Sequence, residues 1–125
     1  MEFDYTEDQR MMRAAIEDLM EEFDRAYWRE RDRRCEFPVE FWERAAEAGW
    51  TGTTIPEEYG GDGASLADAA VVLETIAEHD AGLVPISTLS THVFVGEILA
   101  EYGSDELKER WLPAMAGGRP PRRSR

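Results

Sequence analysis

An all-α fold, an up-and-down bundle of about five helices, is the architecture this sequence encodes. Apolar side chains recur at three- and four-residue steps through its longer segments, the period of a helix with a buried stripe. Capping residues stand before those segments and glycines after them. No segment reads as a strand, and neither a repeat nor a low-complexity block interrupts the pattern. The 125 residues suffice for one compact domain and are too few for two ordinary ones.

The first helix starts at Thr6, where Thr6-Glu7-Asp8-Gln9 has the form of a capping box. Met12, Ala15, Ile16, Leu19, Met20, Phe23 and Tyr27 give it one long apolar stripe, fading through Trp28 to Arg34. Pro38 opens a short second helix with Phe41, Trp42, Ala45 and Ala46 as its buried face, and Gly49 ends it. Residues 50 to 64 hold four glycines and Pro56, which forbids a regular element and predicts a tightly folded loop.

Ser65 caps a third helix with the face Leu66, Ala69, Ala70, Leu73, Ile76 and Ala77, and His79 lies near its end. The fourth helix, roughly Ile86 to Tyr102, is apolar around most of its circumference. Such a helix must be covered on several sides, so it is expected at the centre of the bundle or against something the chain does not supply. Gly103 closes it. Ser104 caps a fifth helix anchored by Leu107, Trp111, Leu112 and Met115, thinned by Pro113 and stopped by Gly117-Gly118.

Charge narrows the partners. The chain carries 14 basic and 27 acidic side chains, a formal charge of -13. Four of the arginines fall in the last seven residues, so the body is more acidic still, and its field repels nucleic-acid phosphates. The acidity fits adaptation to high salt or an ordinary acidic protein from a GC-rich genome. The N-terminus has neither the basic nor the apolar region of a secretory signal, and Glu97, Glu101 and His92 spoil the least polar stretch as a membrane span. A single cysteine, Cys35, excludes an internal disulfide. These features predict a cytoplasmic protein.

Chemistry is sparse. The residues three before His79 and His92 are Ile76 and Leu89, so the Glu-x-x-His step of a di-metal bundle is missing. One cysteine and two distant histidines do not make a zinc site, and no metal ligands are assigned. His92 reads as a hydrogen-bonded core residue. Ser87, Ser90 and Thr91 lie near it in sequence, but not in the spacing of a triad or a nucleophile elbow. Cys35 follows Arg33 and Arg34, whose charge favours a thiolate; the simpler reading is an incidental thiol at a helix end. Gly61-Asp62-Gly63-Ala64-Ser65-Leu66 lacks the third glycine of a phosphate-binding fingerprint and no strand precedes it. No catalytic and no cofactor-binding residue is assigned.

Four blocks in order carry a resemblance. They are Tyr5-Thr6-Glu7-Asp8-Gln9; Phe41-Trp42 through Ala48-Gly49-Trp50; Ile55-Pro56-Glu57-Glu58-Tyr59-Gly60-Gly61-Asp62-Gly63; and Tyr102-Gly103-Ser104 through Trp111-Leu112-Pro113 and Gly117. Together they resemble the N-terminal helical domain of the acyl-CoA dehydrogenase family over about 110 residues. The resemblance implies an FAD-dependent flavoenzyme of fatty acid metabolism that desaturates acyl-CoA thioesters. It implies a β-domain and a C-terminal helical domain after this one, which hold most of the flavin and the catalytic glutamate base. That base removes an α-proton while the flavin takes a hydride from the β-carbon.

In the family the fourth helix helps wall the acyl pocket, and Ile86, Leu89, Ser90 and Val93 form the matching stripe here. The same stripe reads equally as internal core. Residues 1–117 form the helical domain on this reading, and residues 118–125 an Arg/Pro-rich disordered tail from a truncated or frameshifted reading frame. The chain alone is then expected to be inactive and to bind no FAD. Its partners are the missing β- and C-terminal domains, in cis or in trans, with acyl-CoA bound in the complete enzyme and homo-oligomerisation left open. The alternatives are a non-catalytic subunit docking on a separate flavin-binding chain, and a stand-alone helical interaction module.

Overall fold

The structure, a computed structural model, describes residues 4–121. Among them are six α-helices, two short 3₁₀ turns and no strand. In chain order the helices are α1 (Glu7–Glu21), α2 (Arg25–Arg34), α3 (Val39–Glu47), α4 (Leu66–Ala77), α5 (Val84–Tyr102) and α6 (Asp105–Ala116). The 3₁₀ turns, Trp50–Gly52 and Glu57–Tyr59, lie between α3 and α4.

The long first helix of the sequence reading is two helices. Asp24 takes an extended backbone and its Oδ1 accepts the Tyr27 N–H at 2.8 Å, so it caps α2 instead of continuing α1. The break turns Phe23 and Trp28 toward Phe41, with ring centroids 5.7 and 5.1 Å away. One long stripe becomes an aromatic corner against α3. Cys35 ends α2 in the left-handed region, at φ 52°, and is exposed.

The other starts follow their expected chemistry. Thr6 and Gln9 form the reciprocal capping box of α1, and Ser65 with Asp68 that of α4. The Ser104 Oγ accepts the Leu107 N–H at the start of α6. Pro38 stands one residue before α3, and Gly49, at φ 89°, follows its end.

Helix α1 packs on α4 across the intervening α2 and α3, and α4, α5 and α6 then pack in chain order, α4 on α5 and α5 on α6. The main core gathers Ile16, Leu19 and Met20 of α1, Trp28, Phe41, Val72, Ile76 and Leu89. A smaller core joins Ile55 of the loop to Leu112, Met115 and Ala116 of α6.

Helix α4 keeps Ala69 and Ile76 of its expected face buried and Leu73 against the main core, but not the rest of it. Leu66, Ala70 and Ala77 are exposed, while Val71, Val72, Thr75 and Ile76 are buried. Its neighbours α1 and α5 cover it from two sides, and Thr75 is buried because its hydroxyl donates to the Val71 carbonyl and meets the Arg13 guanidinium. Helix α6 likewise keeps only Leu112 and Met115 of its four expected anchors inside; Leu107 and Trp111 face outward.

The loop is a packed corner. Thr51, Gly52, Thr53, Thr54 and Ile55 are all buried, and the amides of Asp62, Gly63 and Ala64 return to the carbonyls of Gly52, Ile55 and Thr53 at 2.9 Å. Gly61 is there for space: a Cβ at that position would lie 2.0 Å from the Ile55 carbonyl oxygen.

Candidate functional site

Helix α5 carries the candidate site, and its two faces differ. The inner face holds Pro85, Leu89, Val93 and Gly96, all buried. Gly96 admits the side chains of Ile55 and Met115, each within 3.6 Å of where its Cβ would stand. The outer face holds Phe94, Val95, Ile98 and Tyr102, which are 58%, 50%, 63% and 76% exposed. Helix α5 is therefore peripheral on one side: its own chain covers half of it.

The predicted stripe runs along the covered half and its margin. Leu89 is 1% exposed, in the main core, and Val93 is buried next to it. Ile86 packs on that core and stays half-buried. Ser90 is half-buried, its hydroxyl turned to the Ser87 carbonyl at the long distance of 3.5 Å. The structure brings all four onto one side of α5, with Ile86 and Ser90 at the edge. The larger bare surface at Phe94, Val95, Ile98 and Tyr102 was not singled out from sequence. Its signal was present, since these four fall together on a helical wheel and none is charged. Val95, Ile98, Leu99, Tyr102 and Gly103 line a shallow, almost wholly apolar groove of about 300 Å³ there.

His92 lies between the two faces. Its Nε2 donates to the Met115 carbonyl at 2.7 Å, which fixes the proton on that nitrogen, because a carbonyl only accepts. Its ring stands edge-on to Trp42 at 5.1 Å. Burial pushes the imidazole below its ordinary pKa, with the Met115 bond opposing. It is a hydrogen-bonded, partly buried histidine, as its apolar sequence setting suggested.

Polar side chains serve elsewhere as fasteners. Arg44 pairs with both oxygens of Glu22 at 2.8 Å and holds that carboxyl below the usual carboxylate range, tying α3 to the end of α1. Arg13 meets Glu78, and Gln9 donates to Asp68, both joining α1 to α4. Among the described residues, no three His, Cys, Asp or Glu side chains gather as metal ligands, and no helix is long and apolar enough to cross a membrane.

The described residues form further grooves besides the one on α5. Their grooves are open and shallow, and the one beside the end of α6 is walled by Glu109, Arg110, Pro113, Ala114, Arg119 and Pro120. The last stretch of the chain divides here. Gly118 and Arg119 are hydrogen-bonded to the end of α6, whereas residues 122–125 of the expected disordered tail lie outside the described residues.

Comparison with known proteins places this geometry. Residues 6–119 match the family described as "Acyl-CoA dehydrogenase, N-terminal domain". Acyl-CoA dehydrogenase FadE12 of Mycobacterium tuberculosis is 32% identical over 113 residues, covering 90% of this chain and 29% of that protein. Probable acyl-CoA dehydrogenase FadE25 of the same organism is 36% identical over 114 residues, 91% of this chain and 29% of that protein. Acryloyl-CoA reductase (NADH) of Anaerotignum propionicum is 30% identical over 118 residues, 94% of this chain and again 29% of its own length. Among solved structures, a chain from work on the electron transferring flavoprotein of Acidaminococcus fermentans and flavin-based electron bifurcation superposes with a TM-score of 0.74. It is 27% identical, over 94% of this chain and 31% of that one. The chain thus spans less than a third of the length of the proteins it matches.

Proposed function

We propose, from the premise that this chain belongs to the acyl-CoA dehydrogenase family through its N-terminal domain, that it forms one wall of an acyl-CoA pocket. The pocket is completed by flavin-binding parts outside these 125 residues. The outer face of α5 carries this reading: Phe94, Val95, Ile98 and Tyr102 are bare together on one face, whereas Met11, Val39 and Leu66 are single exposed apolar residues on their helices and Leu107 and Trp111 a pair. Burying one such side chain stabilises by about 1.5–3 kcal/mol, so a continuous group of four is a surface built to be covered. Covered by the rest of the family fold, α5 would lie between this bundle and the flavin-binding part, with Ile86 and Ser90 at the margin of the acyl chain and Leu89 and Val93 supporting them.

In such an enzyme FAD supplies the hydride acceptor for α,β-desaturation. The residues here shape and dry the acyl site and carry none of the chemistry. Alone, in the cytoplasm or in solution, the chain is inactive and holds no FAD. A stand-alone helical module is less well supported, because it calls for an α5 that its own chain covers.

Co-expression tests the proposal. The partner is the part of FadE12 that lies beyond the matched segment, and the expected product is a yellow complex that reduces an acceptor with acyl-CoA. In that complex Ser90→Trp should slow long-chain acyl-CoA more than short-chain, because the bulk intrudes on the chain and not on the thioester. Acyl-CoA oxidation by the 125-residue protein alone overturns the reading.

A further inference from the structure

We infer that the end of α6 is a preset exit, in which His92, Thr51 and Trp42 fix the direction in which the chain leaves the bundle. The inference rests on the reading above for its purpose, since a fixed direction matters where a further folded part must meet α5.

The backbone of this turn is already complete. Gly118, at φ 63°, donates to the Met115 carbonyl, and the Arg119 N–H donates to the Ala114 carbonyl, both at 2.9 Å. These are the two bonds of a Schellman cap, and they satisfy a helix end without outside help. Three side chains nevertheless converge on the same turn from three other segments. The Met115 carbonyl also accepts from His92 of α5 at 2.7 Å. The Ala116 carbonyl accepts from the buried Thr51 hydroxyl at 2.8 Å, and the Gly118 carbonyl from the Trp42 indole N–H of α3 at 2.8 Å.

Close packing seconds the bonds. A Cβ on Gly118 would stand 2.7 Å from the Ala46 Cβ, and one on Gly52 would stand 3.2 Å from the Ala116 Cα. The edge-on contact of Trp42 and His92 braces two of the three donors against each other. An exposed helix end that only had to stop would need none of this. Beyond Arg119 come Pro120 and Pro121, whose rings fix φ and carry a direction set at Gly118 further along the chain.

Distance measurement between spin labels tests the exit directly. With Cys35→Ser removing the native thiol, labels go on Glu7→Cys, at the exposed start of α1, and on Arg122→Cys, which leaves both prolines in place. The parent should give one narrow distance distribution. His92→Leu combined with Thr51→Val should broaden it about twofold, while circular dichroism still reports an intact bundle. His92→Gln in place of His92→Leu keeps a donor and should restore most of the narrow width. Should the Leu variant not fold, Trp42→Phe removes a single N–H and keeps the ring, and it should broaden the distribution on its own. A broad parent distribution, or equal widths in folded parent and variants, overturns the inference. A narrow parent with no flavin-loaded complex on co-expression refutes the proposed function and leaves the exit standing; a broad parent with a yellow complex does the reverse.

Discussion

Gly96 and Ile98 are two residues apart on α5, and their surroundings are opposite. Gly96 is enclosed by Ile55 and Met115, in a corner where loop amides return to loop carbonyls and side chains fasten the end of α6. Ile98 faces outward with Phe94, Val95 and Tyr102 and is 63% exposed. Both faces are apolar. Composition therefore does not tell the two faces apart, while burial reports which of them this chain covers. The corner is complete in itself, and the outer face is not.

Breaking the corner should have the largest effect. Gly61→Ala drives a methyl into the Ile55 carbonyl, and backbone on backbone leaves no flexible side chain to yield. A loss of roughly 4 kcal/mol or more in urea unfolding is expected, the range in which a marginal domain ceases to fold. Gly60→Ala is the control. Its φ is 88° but nothing lies within 4 Å of the added atom, so only the left-handed strain of about 1–2 kcal/mol applies. Equal losses at the two positions would show that the corner is not tightly closed. Leu112→Ala comes next, at about 2–5 kcal/mol, because Leu112 is fully buried where α6 packs on the loop and α5. A urea midpoint shift at unchanged m-value is the expected signature.

Much of the corner was legible in the sequence. Ile55 to Gly63 read as a tight connection because proline fixes φ and glycine opens the left-handed conformations that turns require, and capping residues at Thr6, Ser65 and Ser104 act locally. What failed was decided by distant neighbours. Asp24 reads as one more charged position on a helix surface until Phe41 gives Phe23 and Trp28 a reason to turn. Leu66 and Trp111 have the right period for burial, but helical spacing fixes a face and not the neighbour that covers it. The excess apolar surface of α5 was visible at once; which side would stay bare depended on where α4, α6 and Ile55 come to rest.

Acid should weaken the fold in two steps. His92 is held below its ordinary pKa by burial, so between its folded value and about 6.5 the unfolded chain binds the extra proton. Stability is then complete above that range and declines as pH falls through it. His92→Gln should flatten the slope of unfolding free energy between pH 7 and about 5, at similar stability above it. Glu22, Glu30, Glu40 and Asp68 are all held low by hydrogen bonds, from arginine, tyrosine, glutamine or backbone donors, and their contributions vanish only below the ordinary carboxylate range near 4.5. An unchanged slope near pH 6 in the His92 variant would mean that the imidazole is as well solvated in the fold as out of it, and that the end of α6 is looser than the corner beside it.

The smallest effect should come from the largest apolar residues. Phe94→Ser and Ile98→Ser remove exposed side chains that touch no core, so each should change the chain's own stability by less than about 0.5 kcal/mol. Both should lower the binding of a hydrophobic dye and abolish capture of a flavin-binding partner. The pairing matters because the two readouts separate cause from consequence. A face that merely completes this bundle would lose stability and partner binding together when cut back; a face reserved for the proposed flavin-binding partner loses only the second. A loss of more than about 1 kcal/mol in the isolated chain would move Phe94 and Ile98 to the same side of the comparison as Leu112, and α5 would then need no cover from elsewhere.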